Sequence, residues 1–176
     1  MLTRKVTDMP TLYILRGAPG TGKTSLAAEL HKTLHCPWFE FGWIPEFRNR
    51  NPHTEISYEE ECALSTENLI LVTKNYFAHG FASVIVSDLE DERIPAFADA
   101  FADIADVQIL TLDCDDEIRT NRILTRDNGN EYRDTEAAAE IAEKIRRTPY
   151  TGERRFDSGN MTAEKLCKSV LLPQNR

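Results

Sequence analysis

The amino-acid sequence predicts an α/β fold, in which a parallel sheet lies between layers of helices. Two observations support this prediction. Short apolar segments alternate along the chain with segments of helical periodicity, which is the pattern of successive β–α units. The first apolar segment, TLYILR, also runs directly into a glycine-rich turn and then into an amphipathic helix. With 176 residues and no internal repeat, the chain is predicted to form a single domain, residues 1–176.

Five segments are predicted to be strands, because each is short and bounded by turn-forming residues. The third segment, ASVIVS, is almost wholly apolar and indicates a strand buried on both faces. The fourth, VQILTLD, has the same character and ends in an aspartate. The predicted strands are residues 11–16, 38–41, 82–87, 107–113 and 154–157.

Helical segments are predicted between and after these strands. In the first, Leu26, Leu30 and Leu34 recur on one stripe. The second and longest begins at Ser57, which forms a capping-box pattern with Glu60, and stops at Gly80. The remaining predicted helices are residues 93–102, 115–126, 135–147 and 162–172.

The composition limits which partners and which cellular location we expect for the protein. The net charge is −8 and the pI is about 5.1, which disfavours a broad contact with nucleic acid or with an anionic membrane surface. No apolar stretch reaches 18 residues, and the first ten residues do not resemble a signal peptide. The four cysteines are scattered and suggest neither a zinc site nor a disulfide framework. We therefore expect a cytoplasmic protein without a membrane partner.

The glycine-rich turn matches the phosphate-binding pattern GxxxxGK[ST] in full. Glycines allow the backbone to wrap an anion, and the following helix presents its positive end to the phosphates. Lys23 is expected to bridge the β- and γ-phosphates and Thr24 to ligate Mg²⁺. The pattern thus predicts a site for ATP and Mg²⁺. The expected nucleotide contacts are Gly17, Ala18, Pro19, Gly20, Thr21, Gly22, Lys23, Thr24 and Ser25.

Several classes of P-loop protein share this pattern. The chain lacks the N-K-x-D and D-x-x-G motifs of GTPase switch proteins. The loop sequence GAPGTGKT resembles that of the AAA+ ATPases, which also carry an adjacent Asp-Glu pair at the end of the next core strand. Here the strand that ends at Ser87 is followed by Asp88-Leu89-Glu90, without such a pair. The sequence therefore fits neither class well.

An arginine stripe favours a third class. Arg119, Arg122 and Arg126 are spaced along one helix face, directly before the polar loop 127–134. Arginine forks match the equatorial oxygens of a phosphoryl group in transfer. We expect Arg122 and Arg126 to act in catalysis, whereas Arg119 is interpreted as forming a surface pair with Asp115.

The segment 112–126 resembles the strand, helix and arginine-bearing lid of nucleoside, gluconate and related small-molecule P-loop kinases. The segment 157–161, DSGNM, resembles the part of those enzymes that lies over adenine, and we assign Asn160 to nucleotide binding. The resemblance implies a three-layer P-loop NTPase fold with strand order 2-3-1-4-5 and helices on both sides. It also implies a lid at about residues 119–134.

One carboxylate stands at the end of a predicted core strand. Asp88 follows the apolar segment 84–86, so it emerges at the carboxyl edge, where open α/β sheets bind ligands. We expect it to hold Mg²⁺ through water or to contact the acceptor. The alternative is that Asp88 caps the next segment.

The region after the second strand resembles the chloramphenicol phosphotransferase and zeta-toxin branch of these kinases, on the residues PW and FG at 37–38 and 41–42. In that branch an aspartate follows the strand, but Ile44 stands at the nearest position here. Glu46 or Glu40 would replace it. We favour Glu46, since Glu46-x-Arg48 resembles the D-x-R element of the branch. Arg48 would then grip an anionic acceptor, and Trp43 would form a wall of its pocket.

Together these patterns predict an ATP- and Mg²⁺-dependent kinase that phosphorylates a hydroxyl of a small acceptor. Three alternatives stay open: a P-loop ATPase or regulatory nucleotide switch without an acceptor, a kinase of polynucleotide ends, and a binding module with a degenerate site. The acceptor is not identified by the sequence. The oligomeric state, monomer or homodimer, is also left open.

Overall fold

A computed structural model describes residues 9–43, 56–127 and 131–172, except for the side chain of Trp43. The five strands form one parallel sheet in the order β2-β3-β1-β4-β5, which confirms the predicted order. The strands are β1 (Thr11–Arg16), β2 (Trp38–Glu40), β3 (Ser83–Ser87), β4 (Asp106–Asp113) and β5 (Arg154–Asp157).

The helices flank this sheet. They are α1 (Lys23–Leu34), α2 (Tyr58–Ala78), α3 (Ile94–Asp99), α4 (Asp116–Thr125), α5 (Thr135–Arg147) and α6 (Ala163–Leu171). The capping box at the start of α2 is present: Glu60 N donates to Ser57 Oγ at 3.2 Å, and Ser57 N donates to Glu60 Oε2 at 2.7 Å. Within the part of the chain that the structure describes, no helix has the length and apolar character that a membrane span requires.

Several predicted boundaries differ from the observed ones by one residue, and the ends of β2 and α3 differ for identifiable reasons. β2 ends at Glu40, one residue earlier than predicted. Glu40 pairs with Ser87, the last residue of β3, so Phe41 has no residue of β3 to pair with. Residues Phe41–Trp43 form a 3-10 helix instead. α3 ends at Asp99 instead of continuing to residue 102. Its last turn tightens through short-range bonds such as that from Phe101 N to the Ala98 carbonyl.

Each face of the sheet covers one apolar cluster. On one face Leu15, Ile85 and Leu110 pack against α1 and α6. On the other, Ile14 and Val86 pack against α2 and α3. Both faces of the three central strands are thus covered, as expected for parallel strands. The carboxyl edge of the sheet is left for ligand contacts.

A buried ionic network lies at the carboxyl end of β1. Arg16, whose side chain is 1% exposed, donates through Nε to Asp91 Oδ1 at 2.6 Å and through Nη1 to Glu153 Oε2 at 2.8 Å. Its guanidinium also stacks on Tyr150, 4.2 Å from the ring centre. Since Asp91 follows β3 and Glu153 precedes β5, Arg16 joins three segments at the edge of the sheet.

We predict that Arg16→Met destabilises the protein by about 3–5 kcal/mol, because it leaves Asp91 without its cation and Glu153 with Arg155 as its remaining cation. Urea denaturation measures the loss. The matched control is Arg147→Met, since the exposed pair of Arg147 with Glu143 on α5 is expected to contribute less than about 1 kcal/mol. Equal losses for the two variants would contradict this role of Arg16.

The same network predicts how stability responds to acid. Burial alone would raise the pKa of Glu153, but hydrogen bonds from Thr111, Arg155 and Arg16 lower it below its usual value. A lowered pKa in the folded state means that the stabilisation is present above the pKa of the unfolded chain and is lost as the pH falls through the folded value. Stability should therefore drop below about pH 4.5, and less steeply in Arg16→Met.

Candidate active site

The glycine-rich loop connects β1 to α1, as predicted, and two of its glycines are required by close packing. A Cβ on Gly17 would lie 2.7 Å from the Leu112 carbonyl oxygen and 2.6 Å from Thr21 Oγ1. A Cβ on Gly20 would lie 2.9 Å from Ile123 Cγ1. Both residues have positive φ, 154° and 85°. The loop therefore sits tightly on β4 and α4, and its path leaves no room for side chains at these positions.

The start of α1 is suited to bind an anion. Gly22 is its N-cap, and it supplies no side-chain hydrogen bond. The first turn also contains no acidic residue. Helices leave the N–H groups of their first turn without intrahelical partners, and the helix dipole is positive there. The N-terminus of α1, which follows a glycine-rich loop, is therefore a phosphate site by its local geometry.

Lys23 and Asp88 meet at the centre of the site. Lys23 Nζ donates to the Gly17 carbonyl at 2.8 Å and lies 3.4 Å from Asp88 Oδ1. Asp88 has a φ of +63°, which is uncommon for a residue with a side chain, and its carboxylate is 62% exposed. The structure thus places the predicted carboxylate beside the P-loop lysine, in a backbone conformation of the kind that clusters at functional sites.

A second carboxylate faces the predicted metal ligand. Thr24 Oγ1 donates to Glu40 Oε1 at 2.9 Å. Glu40 closes β2, so it reaches the same edge of the sheet as Asp88. These hard oxygen donors fit Mg²⁺, which commonly takes one or two protein oxygens, substrate phosphates and water. Among the described residues no three carboxylate, histidine or cysteine side chains form a metal cluster of their own.

These residues line a cavity of about 580 Å³, which the P-loop, Glu40, Asp88, the end of α4 and the segment after β5 enclose. The predicted Arg122 and Arg126 both line it, and so does Thr125. Tyr132, Ser158 and Met161 also contribute, although the sequence patterns did not single them out. The cavity is large enough for a nucleotide, since ligand sites commonly measure about 300–1,000 Å³.

Arg122 ties the lid helix to the segment after β5. Its Nη2 donates to the Ser158 carbonyl at 2.8 Å and to the Gly159 carbonyl at 3.1 Å. The Ser158 hydroxyl in turn donates to the Thr21 carbonyl at 2.7 Å. The proposed adenine segment is thereby anchored to the P-loop and to α4 through one serine.

Arg126 lies over the ring of Tyr132, with its guanidinium carbon 5.7 Å from the ring centre, and donates to the Tyr132 carbonyl. Burial lowers the pKa of Arg126, and the charge of Arg133 lowers it further. Its Nε is buried without a partner among the described residues. A bound anion would therefore stabilise the charged form of Arg126.

Arg119 does not form the predicted surface pair with Asp115. Its side chain is 1% exposed, packs under Gly20 and donates to Asp116 Oδ1 at 2.8 Å. The reason is that α4 begins at Asp116, so Asp115 is the N-cap and lies outside the helix. Asp116 also receives Arg146 of α5 at 3.0 Å. The three arginines of the stripe therefore have three different surroundings.

Other predicted residues are not brought to the cavity by the described part of the structure. Asn160 is exposed, and among the described residues of its segment the cavity is lined by Ser158 and Met161 instead. Glu46, Arg48 and the side chain of Trp43 lie outside the described residues. Their assigned roles stay predictions.

The structure resembles solved kinases over nearly its whole length. A sugar kinase from Janibacter sp. HTCC2649 has a TM-score of 0.66 and 16% identity, over 93% of this chain and 92% of that one. A gluconokinase from Sinorhizobium meliloti 1021 has a TM-score of 0.64 and 15% identity, over 94% and 91%. The chain has the fold of the small P-loop kinases. Shikimate kinase from Acinetobacter baumannii also has it, with a TM-score of 0.59, 15% identity and coverage of 93% and 91%.

No protein-family model matches the sequence, and no curated protein matches it either. At such low identity the shared fold does not carry over an activity or a substrate. The function must therefore be inferred from the residues of the site.

We predict that Gly17→Ala weakens ATP binding by about 5- to 150-fold, because the new Cβ would force the loop away from the Leu112 carbonyl at a cost of about 1–3 kcal/mol. Calorimetric titration with ATP measures the affinity. Gly42→Ala is the control, since a Cβ at Gly42 meets no atom within 4 Å. If Gly17→Ala binds ATP as the wild type does, the close fit of this loop is not needed for binding.

Proposed function

We propose that the protein is an ATP-dependent kinase that transfers the γ-phosphoryl group of ATP·Mg²⁺ to a hydroxyl of a small acceptor. One observation carries this proposal. Lys23 and Asp88, 3.4 Å apart, line both the nucleotide cavity and a second, adjoining cavity of about 280 Å³. A group that binds the γ-phosphate thus stands beside a carboxylate that an acceptor hydroxyl can reach. A nucleotide switch needs only the first of these cavities.

The residues on the nucleotide side have distinct proposed roles. Lys23 turns from the Gly17 carbonyl to the β- and γ-phosphates, and the first turn of α1 binds them through N–H groups. Mg²⁺, bound through Thr24 with Glu40 or Asp88 nearby, would neutralise charge on the β- and γ-oxygens. Arg126 is placed to bind the equatorial oxygens as charge develops there.

On the acceptor side, Asp88 orients the hydroxyl and accepts its proton as the new O–P bond forms. The segment of about 119–134 acts as a lid, because Arg122 and Arg126 line the nucleotide cavity and its closure would exclude water. The similarity to sugar, gluconate and shikimate kinases supports a small acceptor. Glu46, Arg48 and Trp43 stay candidates for further acceptor contacts on the resemblance described above. A cytoplasmic, single-domain enzyme is part of this proposal.

We predict that a screen of sugars, polyols, nucleosides and antibiotics finds a compound that stimulates ADP release above the rate with ATP alone. Asp88→Asn should reduce that stimulated rate by about 10²–10⁴-fold and leave ATP affinity within about threefold of the wild type. This substitution retains the shape of the side chain and tolerates positive φ. ADP release that no compound stimulates, but that a macromolecular partner raises, would favour the ATPase or switch alternative.

We further predict that Arg126→Ala lowers the stimulated kcat by about 10²-fold or more, because it removes a cation from the transition state. The control is Arg147→Ala, which removes an equal charge from an exposed position on α5 and should leave kcat unchanged. Steady-state kinetics with a fixed acceptor measure both variants. An unchanged kcat in Arg126→Ala would contradict a catalytic lid.

A further inference from the structure

The second cavity lies between the P-loop, the segment that follows β3 and helix α5. Its volume of about 280 Å³ is below the usual range for drug-sized ligands. Apolar side chains form part of its wall, contributed by Leu15, Leu89, Ile141 and Ile145. Polar groups line the rest. This cavity is the acceptor site if the proposed kinase function holds, and the inference below rests on that function.

The cations that line this cavity are already engaged. Arg16 is buried and donates to Asp91 and Glu153, so it is not available to a ligand. Lys144 pairs with Glu92 at the edge of the cavity. Lys23 is directed to the loop carbonyl of Gly17 and is needed for nucleotide phosphates. Among the described lining residues, no cation is left for an anionic group of an acceptor.

The carboxylates outnumber these cations. Four of them, Asp88, Glu90, Asp91 and Glu92, line the cavity together with the three cations Arg16, Lys23 and Lys144. Asp88 is 62% exposed and faces the cavity beside the position of the γ-phosphate. Glu90, Asp91 and Glu92 pair with Arg93, Arg16 and Lys144, so Asp88 is the carboxylate that loses its cation when Lys23 turns to the triphosphate. An anionic acceptor would meet both Asp88 and the triphosphate itself. A like-charge contact at about 4 Å costs about 1 kcal/mol in water and several times more near a protein surface.

We propose that the acceptor is a compact hydroxyl compound that carries no anionic group, either uncharged or amino-bearing, in contrast to the anionic acceptor that the resemblance implies through Arg48. The apolar wall contacts its carbon skeleton, and Asp88 receives the reacting hydroxyl. The pair of Lys144 with Glu92 contributes to this selectivity. Among the described lining residues, Lys144 is the exposed cation that the triphosphate does not need, and Glu92 neutralises it.

The test uses compounds matched in size. Glucose and glucosamine are compared with glucuronate, and sorbitol with gluconate, by kcat/KM for ADP release. We expect at least one uncharged or amino-bearing compound to be phosphorylated, and its anionic counterpart to be at least about tenfold poorer. A preference for the anionic member overturns the inference and leaves the kinase function standing. If no compound stimulates ADP release, the kinase function itself fails, and this inference fails with it.

A charge variant tests the mechanism of selection. Glu92→Gln frees Lys144, so it should raise kcat/KM for the anionic counterpart by about 5–10-fold relative to the neutral compound. Glu143→Gln is the matched control, because it removes a carboxylate from α5, and neither Glu143 nor its partner Arg147 lines the cavity. An unchanged ratio in Glu92→Gln, or an equal change in the control, would exclude the Lys144–Glu92 pair as a determinant of specificity.

Discussion

The arrangement of the site depends on the buried pairing of Arg16 with Asp91 and Glu153. Parallel strands bring their carboxyl ends to one edge, but they do not by themselves set the path of the segments that follow. Arg16 does so by joining the end of β1 to the segments beside β3 and β5. Burial makes the interaction costly to break, because Asp91 would be left without a counter-ion and Glu153 would keep only Arg155. Gly17 directly follows Arg16 in the chain, and Asp88 lies three residues before Asp91, so this network holds the chain next to both residues of the site.

A second set of contacts connects the two legs of the lid. Asp116 at the start of α4 accepts hydrogen bonds from Arg119 of the same helix and from Arg146 of α5. Arg146 also binds Asp113 at the end of β4 at 2.7 Å. The bases of both helices are therefore held to the sheet, while the segment between them is farther from these anchors.

Local patterns were sufficient for the fold and for the phosphate site, because a P-loop requires its residues at fixed spacing between a strand and a helix. Asp88 was predictable for a similar reason, since it closes an apolar strand. Glu40 likewise stands at the end of a strand, β2, but the resemblance to the D-x-R element favoured Glu46 over Glu40. The burial of Arg119 had no local signal, because it depends on packing under Gly20 and on where α4 begins.

The electrostatics of the two cavities differ in a way that fits phosphoryl transfer. On the nucleotide side Arg126 is a partly buried cation whose pKa is lowered by burial and by Arg133, so binding of an anion relieves an existing cost. On the acceptor side Arg16 and Lys144 are neutralised by carboxylates. Negative charge is thus favoured in the nucleotide cavity and disfavoured in the acceptor cavity, and the Lys23–Asp88 contact lies between the two. This asymmetry would orient the triphosphate and keep a second anion out of the acceptor cavity.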